Sequence, residues 1–418
     1  MRKLILAFLC VVLLAFVSQV YSQEDTGIKV GADSVEEMIE RCGTLKVAVV
    51  TNANATLSVG SMPHLVDTLQ SRGVNIVKVF TPEHGFYVTA DAGQVVRNQG
   101  YIGAEIPVVS LYGKRKKPSG QELRGVELLI FDLPDVGCRF YTYISTLYYV
   151  LEACAAAHIP VLLLDRPNPC DNIDGPVIKE EKFKSFVGIL PIPVLHALTL
   201  GEAARMMVGE KWIAGAPLLN LHVIPCQGWK HGQPYSLPKP PSPNLKSARA
   251  IALYPTLCFL EGTSWSVGRG TKTPFEQVGY PNKKMGEVCF TPDSRAGAMN
   301  PLHKGRVCYG PPLSSLSGNK IHLEFLVQLY RLSNKYGVRF FTRSSYFDLL
   351  AGTSDLRKQI IAGYTAAQIR ENWIPDLITY KKKRNAYLLY PDTRLYWWEK
   401  EQDLASPPLN NLGAAEAK

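Results

Sequence analysis

The sequence predicts an α/β protein, and three observations carry that prediction. Six short apolar runs, rich in β-branched residues and without polar alternation, occupy positions 45–226, the pattern of strands buried on both faces of a parallel sheet. Helix-like segments separate several of them, as right-handed βαβ crossovers require. A stretch with five prolines in eleven residues, 234–244, then ends the alternation. Together these predict a Rossmann-like parallel-sheet amino-terminal domain followed by a smaller α+β carboxyl-terminal domain.

The elements follow in chain order. Residues 1–22 carry Arg2 and Lys3, an apolar run over 4–17 and small or polar residues at 20–22, the layout of a secretory signal peptide. Cys10 lies inside the apolar run, badly placed for the lipidated cysteine of a lipoprotein. The expectation is an exported protein, periplasmic or extracellular. No later apolar run approaches the ~20 residues of a membrane span. The remaining chain exceeds the usual size of one core, so two domains are expected, 23–240 and 241–400, with a disordered tail at 401–418.

The strand runs are LKVAVVTN, VNIVKVF, IPVVSLYG, VELLIFD, IPVLLLD and LNLHVIP. Helices are expected over 64–72, 142–157 and 200–212, the first two closed by Gly73 and Pro160. The proline-dense 234–244 can be neither helix nor interior strand; it reads as a stiff connector or binding loop. Beyond it a helix is expected over 323–335. Another starts at Thr365, where Gln368 stands at capping-box spacing.

Composition narrows the function classes. The chain is 46% hydrophobic and 20% charged, as in an ordinary globular protein. Its net charge is +10, but the basic runs at 114–117 and 381–384 are short and lack interleaved aromatics, which speaks for solvated surface over nucleic-acid binding. The basic excess still attracts anionic ligands. No cysteine pair has CxxC or zinc-ligand spacing; Cys138, Cys154 and Cys170 lie in or beside apolar segments, where buried free thiols are as expected as disulfides. GxGxxG after the first strand, GxxxxGK[ST], GxSxG and HExxH are all absent, so no nucleotide loop, nucleophile elbow or cofactor is expected.

Ligands of an open parallel sheet bind outside the carboxyl ends of its strands. After the first strand comes Asn52; after the second, Pro82-Glu83-His84-Gly85. After the fourth come Asp132, Pro134 and Asp135, leading to Arg139, Tyr141 and Tyr143; after the fifth, Arg166, Pro167, Asn168 and Pro169. Each alone reads equally well as a solvent-facing turn. As a group, stiffened by prolines, they suit the positioning of reacting groups, and acids, amides and aromatics together suit a polyhydroxylated ligand. Neighbouring Glu83 and His84 point to opposite faces of a regular strand, although a tight turn relaxes that rule; acid, metal-ligand and turn readings stand side by side. A second cluster, EGTSWSVGRGTKTPFE at 261–276, sets Glu261 and Arg269 in a glycine-containing loop, compatible with a phosphate loop, a carboxylate clamp or an anchored surface turn.

The blocks TPEHGF, FDLPDVGCRFYTYISTLYYVLEA, LDRPNP, PPSPN, LYPTLCFLEGTSWSVGRGTKTPFE and AYLLYP, in this order across 45–391, resemble the signature blocks of the NamZ-type exo-β-N-acetylmuramidases. The resemblance implies release of terminal N-acetylmuramic acid from the non-reducing end of peptidoglycan fragments, with an active site in the cleft between two domains. It implies Glu83 as the catalytic residue, and the PPSPN block adds Asn244 to the candidate substrate-binding residues Asn52, Asp132, Arg139, Tyr141, Tyr143, Arg166, Asn168 and Arg269. Pro134, Cys138 and Ser264 stand where the family usually has glutamine, a small residue and asparagine, departures that bear on fine specificity.

Glycoside hydrolysis needs an acid for the leaving oxygen and a second group at the anomeric carbon. The expected acid is Glu83, with His84 orienting it or binding a hydroxyl. Asp135, Glu261 and the substrate's own acetamido oxygen remain open for the second role. Arg139 or Arg269 is expected to bind the lactyl carboxylate of muramic acid. The rival readings are a non-catalytic envelope glycan-binding protein and a metal-dependent hydrolase built on Glu83, His84, Asp132 and His196.

Overall fold

The computed structural model describes residues 27–58, 60–90, 99–100, 106–113 and 115–399. The expected signal segment and tail lie outside the described residues.

A seven-stranded sheet forms the first half. Its strands are β1 (Val47–Val50), β2 (Ile76–Thr81), β3 (Gln99–Gly100), β4 (Pro107–Ser110), β5 (Leu128–Phe131), β6 (Val161–Leu164) and, after the small antiparallel pair β7 (Ile173–Asp174) and β8 (Leu195–His196), β9 (Leu221–Ile224). The order is β3-β4-β2-β1-β5-β6-β9. All neighbours pair in parallel except β3 with β4. The six runs read from the sequence are the six parallel strands, and their winding order reverses between β1 and β5, the point where doubly wound sheets open a crevice.

The missing alternation now has its cause. Val47, Val49, Leu128, Ile130, Leu162 and Leu164 enter the core on one face, while Ala48, Val50, Leu129, Phe131, Val161 and Leu163 enter the core on the other. Successive side chains go to opposite faces, and both faces are covered. Helices α1 (Val35–Cys42) and α2 (Leu65–Ser71) contribute Met38 and Leu69 to the first core. Helices α3 (Tyr143–Ala157) and α4 (Leu200–Gly209) contribute Leu147 and Met206 to the second. Thr199 and Glu202 close a capping box on α4.

The second half is helical apart from one antiparallel pair, β10 (Val288–Phe290) with β11 (Cys308–Gly310). It comprises α5 (Ala248–Leu257), α6 (Leu323–Lys335), α7 (Ser344–Ala351), α8 (Asp355–Ile361), α9 (Ala366–Glu371) and α10 (Ile374–Arg384). Thr365 and Gln368 form the expected capping box before α9. Pro255 inside α5 cannot donate to the helical ladder, and the last turn tightens into a 3-10 segment, Cys258–Gly262.

The second core runs without a break from Leu147 of α3 to Phe259, Phe347 and Trp398, so the halves are packed together. The proline-dense stretch is pinned to the sheet rim: Asn54 Nδ2 donates to Pro240 O at 2.6 Å and Tyr141 Oη to Pro241 O at 2.7 Å. The segment after α10 returns to the first half, where Tyr390 Oη donates to Asp165 Oδ2 at 2.6 Å, and Arg384 Nε at the end of α10 donates to Ala197 O at 2.7 Å. Among the described residues eight cysteines are free and all but Cys289 are buried. Among the described residues no helix is long and apolar enough to cross a membrane.

Candidate active site

The register brings the last residues of three strands level, since Val50 of β1 pairs with Phe80 of β2 and with Phe131 of β5. The loops after them therefore leave the sheet together. They meet the second half around a cavity of about 950 Å³.

Glu83 lies in a tight turn at the end of β2. Gly85 N donates to Pro82 O at 3.1 Å, and His84 holds φ at 72°, as the third residue of a type II turn must. A left-handed conformation costs a non-glycine residue about 1–2 kcal/mol; here His84 Nδ1 meets Ala90 O at 2.8 Å and Ala90 N donates to His84 O at 3.3 Å. Glu83 is 8% exposed and lines the cavity. Thr142 precedes α3 without capping it; its hydroxyl donates instead to Glu83 Oε2 at 2.8 Å.

Tyr141 and Tyr143 line the same cavity with their rings 4.7 Å apart. Asn52 Nδ2 donates to Tyr143 Oη at 3.0 Å, so Asn52 acts behind the wall. From the second half come Asn244, held to Gly297 O at 2.7 Å, and Glu261, which the proline-tightened turn after α5 delivers to the cavity. Arg269 Nε donates to Glu261 Oε1 at 2.5 Å, and the guanidinium lies 5.0 Å from the Phe275 ring centre. Burial lowers the affinity of Arg269 for its proton, and the Glu261 charge overrides this, so the guanidinium is held above its ordinary value. The glycine-containing loop thus folds onto its own carboxylate.

Of the residues expected at the site, Glu83, His84, Tyr141, Tyr143, Asn244, Glu261 and Arg269 line the cavity; Asn52, Asp132, Asp135, Arg139, Arg166 and Asn168 do not. Arg139 is fully buried and donates to the carbonyls of Pro176, Ile192 and Leu350, which corrects its expected role as a carboxylate binder. Asp132 and Arg166 form a buried two-pronged pair at 2.5 and 2.8 Å and brace the rim from inside. Asn168 holds the loop after β6, accepting from Cys170 N and donating to Leu198 O. Asp135 is buried: Oδ1 accepts from Gly137 N at 2.7 Å, while Oδ2 has no hydrogen-bond partner. Burial pushes its carboxyl up to about 7.

The four residues of the metal reading also have other engagements. His84 Nδ1 is on Ala90 O, Asp132 is on Arg166, and His196, buried in β8, accepts from Leu198 N at Nδ1. Among the described residues no three His, Cys, Asp or Glu side chains are grouped as metal ligands.

Among the cavity-lining residues outside the sequence expectations are Thr142, Lys116 and Arg343. Thr142 sits inside the FDLPDVGCRFYTYIS block but carries no signal of its own. Lys116, over the Phe186 ring at 4.8 Å, belongs to a basic run read as solvated surface. Arg343, over the Tyr346 ring at 4.4 Å, has no surrounding motif.

A doubly wound sheet, a smaller helical half packed against it and two carboxylates lining one cavity give the arrangement that glycoside hydrolysis uses. Two family models divide the chain, the N-terminal domain of exo-β-N-acetylmuramidase NamZ matching residues 47–249 and its C-terminal domain residues 252–390. The chain belongs to the NamZ exo-β-N-acetylmuramidase family. It is 34% identical over 369 residues to the peptidoglycan β-N-acetylmuramidase NamZ of Bacillus subtilis, covering 82% of this chain and 87% of that protein. Two crystal structures of DUF1343 family proteins from Bacteroides fragilis are similar. One has 38% identity and a TM-score of 0.78, over 88% of this chain and 99% of the other. The second has 27% identity and a TM-score of 0.71, over 87% and 99%.

Proposed function

We propose that this protein removes the terminal N-acetylmuramic acid from the non-reducing end of peptidoglycan-derived glycans, with Glu83 as the general acid. The observation that carries this reading is the Glu83 carboxyl, anchored by Thr142 at 2.8 Å at the strand-end side of a cavity lined by both halves. In the reaction Glu83 gives its proton to the glycosidic oxygen as the anomeric bond breaks. The elements of water are added across that bond, yielding free N-acetylmuramic acid and a glycan shorter by one sugar. Glu261, ion-paired with Arg269 and lining the same cavity, supplies negative charge towards the positive charge that develops at the anomeric carbon. Asp135, which does not line the cavity, is left out of this scheme. The secretory layout of residues 1–22 supports an exported site of action.

The test is product analysis on a muramic acid-terminated peptidoglycan oligosaccharide. Release of N-acetylmuramic acid as the first and only early product is the expected result. Early appearance of internal fragments, or binding without hydrolysis, contradicts it.

A further inference from the structure

Around the cavity three cations each lie over an aromatic ring: Lys116 over Phe186 at 4.8 Å, Arg269 over Phe275 at 5.0 Å and Arg343 over Tyr346 at 4.4 Å. Their charges are not equally available. Arg269 is spent on Glu261 at 2.5 Å. Neither Lys116 nor Arg343 has a carboxylate partner among the described residues.

Arg343 is also held in place. Its backbone N–H donates to Gly262 O at 3.0 Å, and Nη1 approaches Glu261 O at 3.4 Å, so it stands beside the Glu261 segment. It lines the cavity yet stays exposed, with most of its five N–H donors open to a ligand. A planar guanidinium steadied on a ring is matched to a carboxylate through two parallel hydrogen bonds, whereas an ammonium such as Lys116 is a point charge on a flexible stem.

We propose that Arg343 binds the lactyl carboxylate of the N-acetylmuramic acid ring and so sets the preference for muramic acid over N-acetylglucosamine. This rests on the reading of the protein as an N-acetylmuramidase. The 3-O-lactyl ether is the group that distinguishes the two sugars, and at neutral pH it carries a full negative charge when its carboxyl is free. Arg139 and Arg269, the two cations that sequence reasoning offered for it, are committed within the protein.

The test compares kcat/KM of the full chain on three chromogenic substrates: the 4-nitrophenyl β-glycosides of N-acetylmuramic acid, of its lactyl methylamide and of N-acetylglucosamine. Arg343→Met should lose roughly 10- to 100-fold on the free acid, mainly through KM, and change little on the other two. Arg343→Lys should recover part of the loss, and Lys116→Met should show no acid-selective loss. Equal losses on all three substrates, no loss at all, or an acid-selective loss in Lys116→Met instead would overturn the proposal. Thermal unfolding of each variant separates these results from misfolding. A wild-type protein that cleaves the N-acetylglucosamine glycoside but not the muramic acid one would refute the underlying reading, a failure visible before any variant is made.

Discussion

Thr142 holds Glu83. The hydroxyl that stands at the entrance to α3 donates to Glu83 Oε2 at 2.8 Å and makes no capping bond to the helix. A residue type selected elsewhere for helix starts here fixes a carboxyl across the gap between β2 and α3. Replacing it with valine keeps the shape and removes the donor.

Thr142→Val should therefore lower kcat about tenfold, the equivalent of one modest hydrogen bond, and leave KM within about twofold. Steady-state kinetics on a chromogenic muramic acid glycoside checks this. A large rise in KM with kcat intact would make Thr142 a substrate contact and not a positioning residue.

His84 provides a test of the turn. With φ at 72° it sits where glycine is at ease and a Cβ is not. Both His84→Gly and His84→Ala lose the contact with Ala90 O, so the difference between them isolates the backbone. Urea unfolding should find His84→Ala less stable than His84→Gly by about 1 kcal/mol. The reverse order would mean that the turn relaxes in the variants.

Much of this arrangement was legible in the sequence, and the limit has a physical cause. Strands such as VELLIFD and IPVLLLD announce burial on both faces because their central runs, LLIF and VLLL, are apolar without alternation, and the rim follows from where they end. Glu83 stood out because a proline, an acid, a histidine and a glycine occur together after such a strand. Arg139 misled because nothing local reveals a guanidinium whose acceptors are carbonyls 37, 53 and 211 positions away. Arg343 escaped for the complementary reason: its availability depends on Glu261 having already taken Arg269. Helix α5 was hidden by Pro255, which ordinarily argues against a helix.

Asp135 makes a prediction with a sign. Burial raises its carboxyl from 3.8 to about 7, so the folded chain holds that proton more tightly than the unfolded chain does. Its contribution to stability is complete below about pH 4 and is lost as the pH rises through 7. Asp135→Asn should remove that loss and be more stable than wild type at pH 8, by about 4 kcal/mol at most. Chemical unfolding from pH 4 to 8 reads it directly. Because Asp135 does not line the cavity, the variant should also keep its activity within about tenfold; a loss of a hundredfold or more in a stably folded variant would return Asp135 to the chemistry.

The role proposed for the Glu83 carboxyl is delivery of the proton to the leaving oxygen. Measuring kcat for Glu83→Gln on a 4-nitrophenyl and on an alkyl glycoside of N-acetylmuramic acid tests it most directly, since the nitrophenolate leaves with little protonation and the alkoxide does not. The expected result is a loss of about 10² or more on the alkyl glycoside, a smaller loss on the nitrophenyl glycoside and an unchanged fold. Near wild-type kcat on the alkyl glycoside would contradict it.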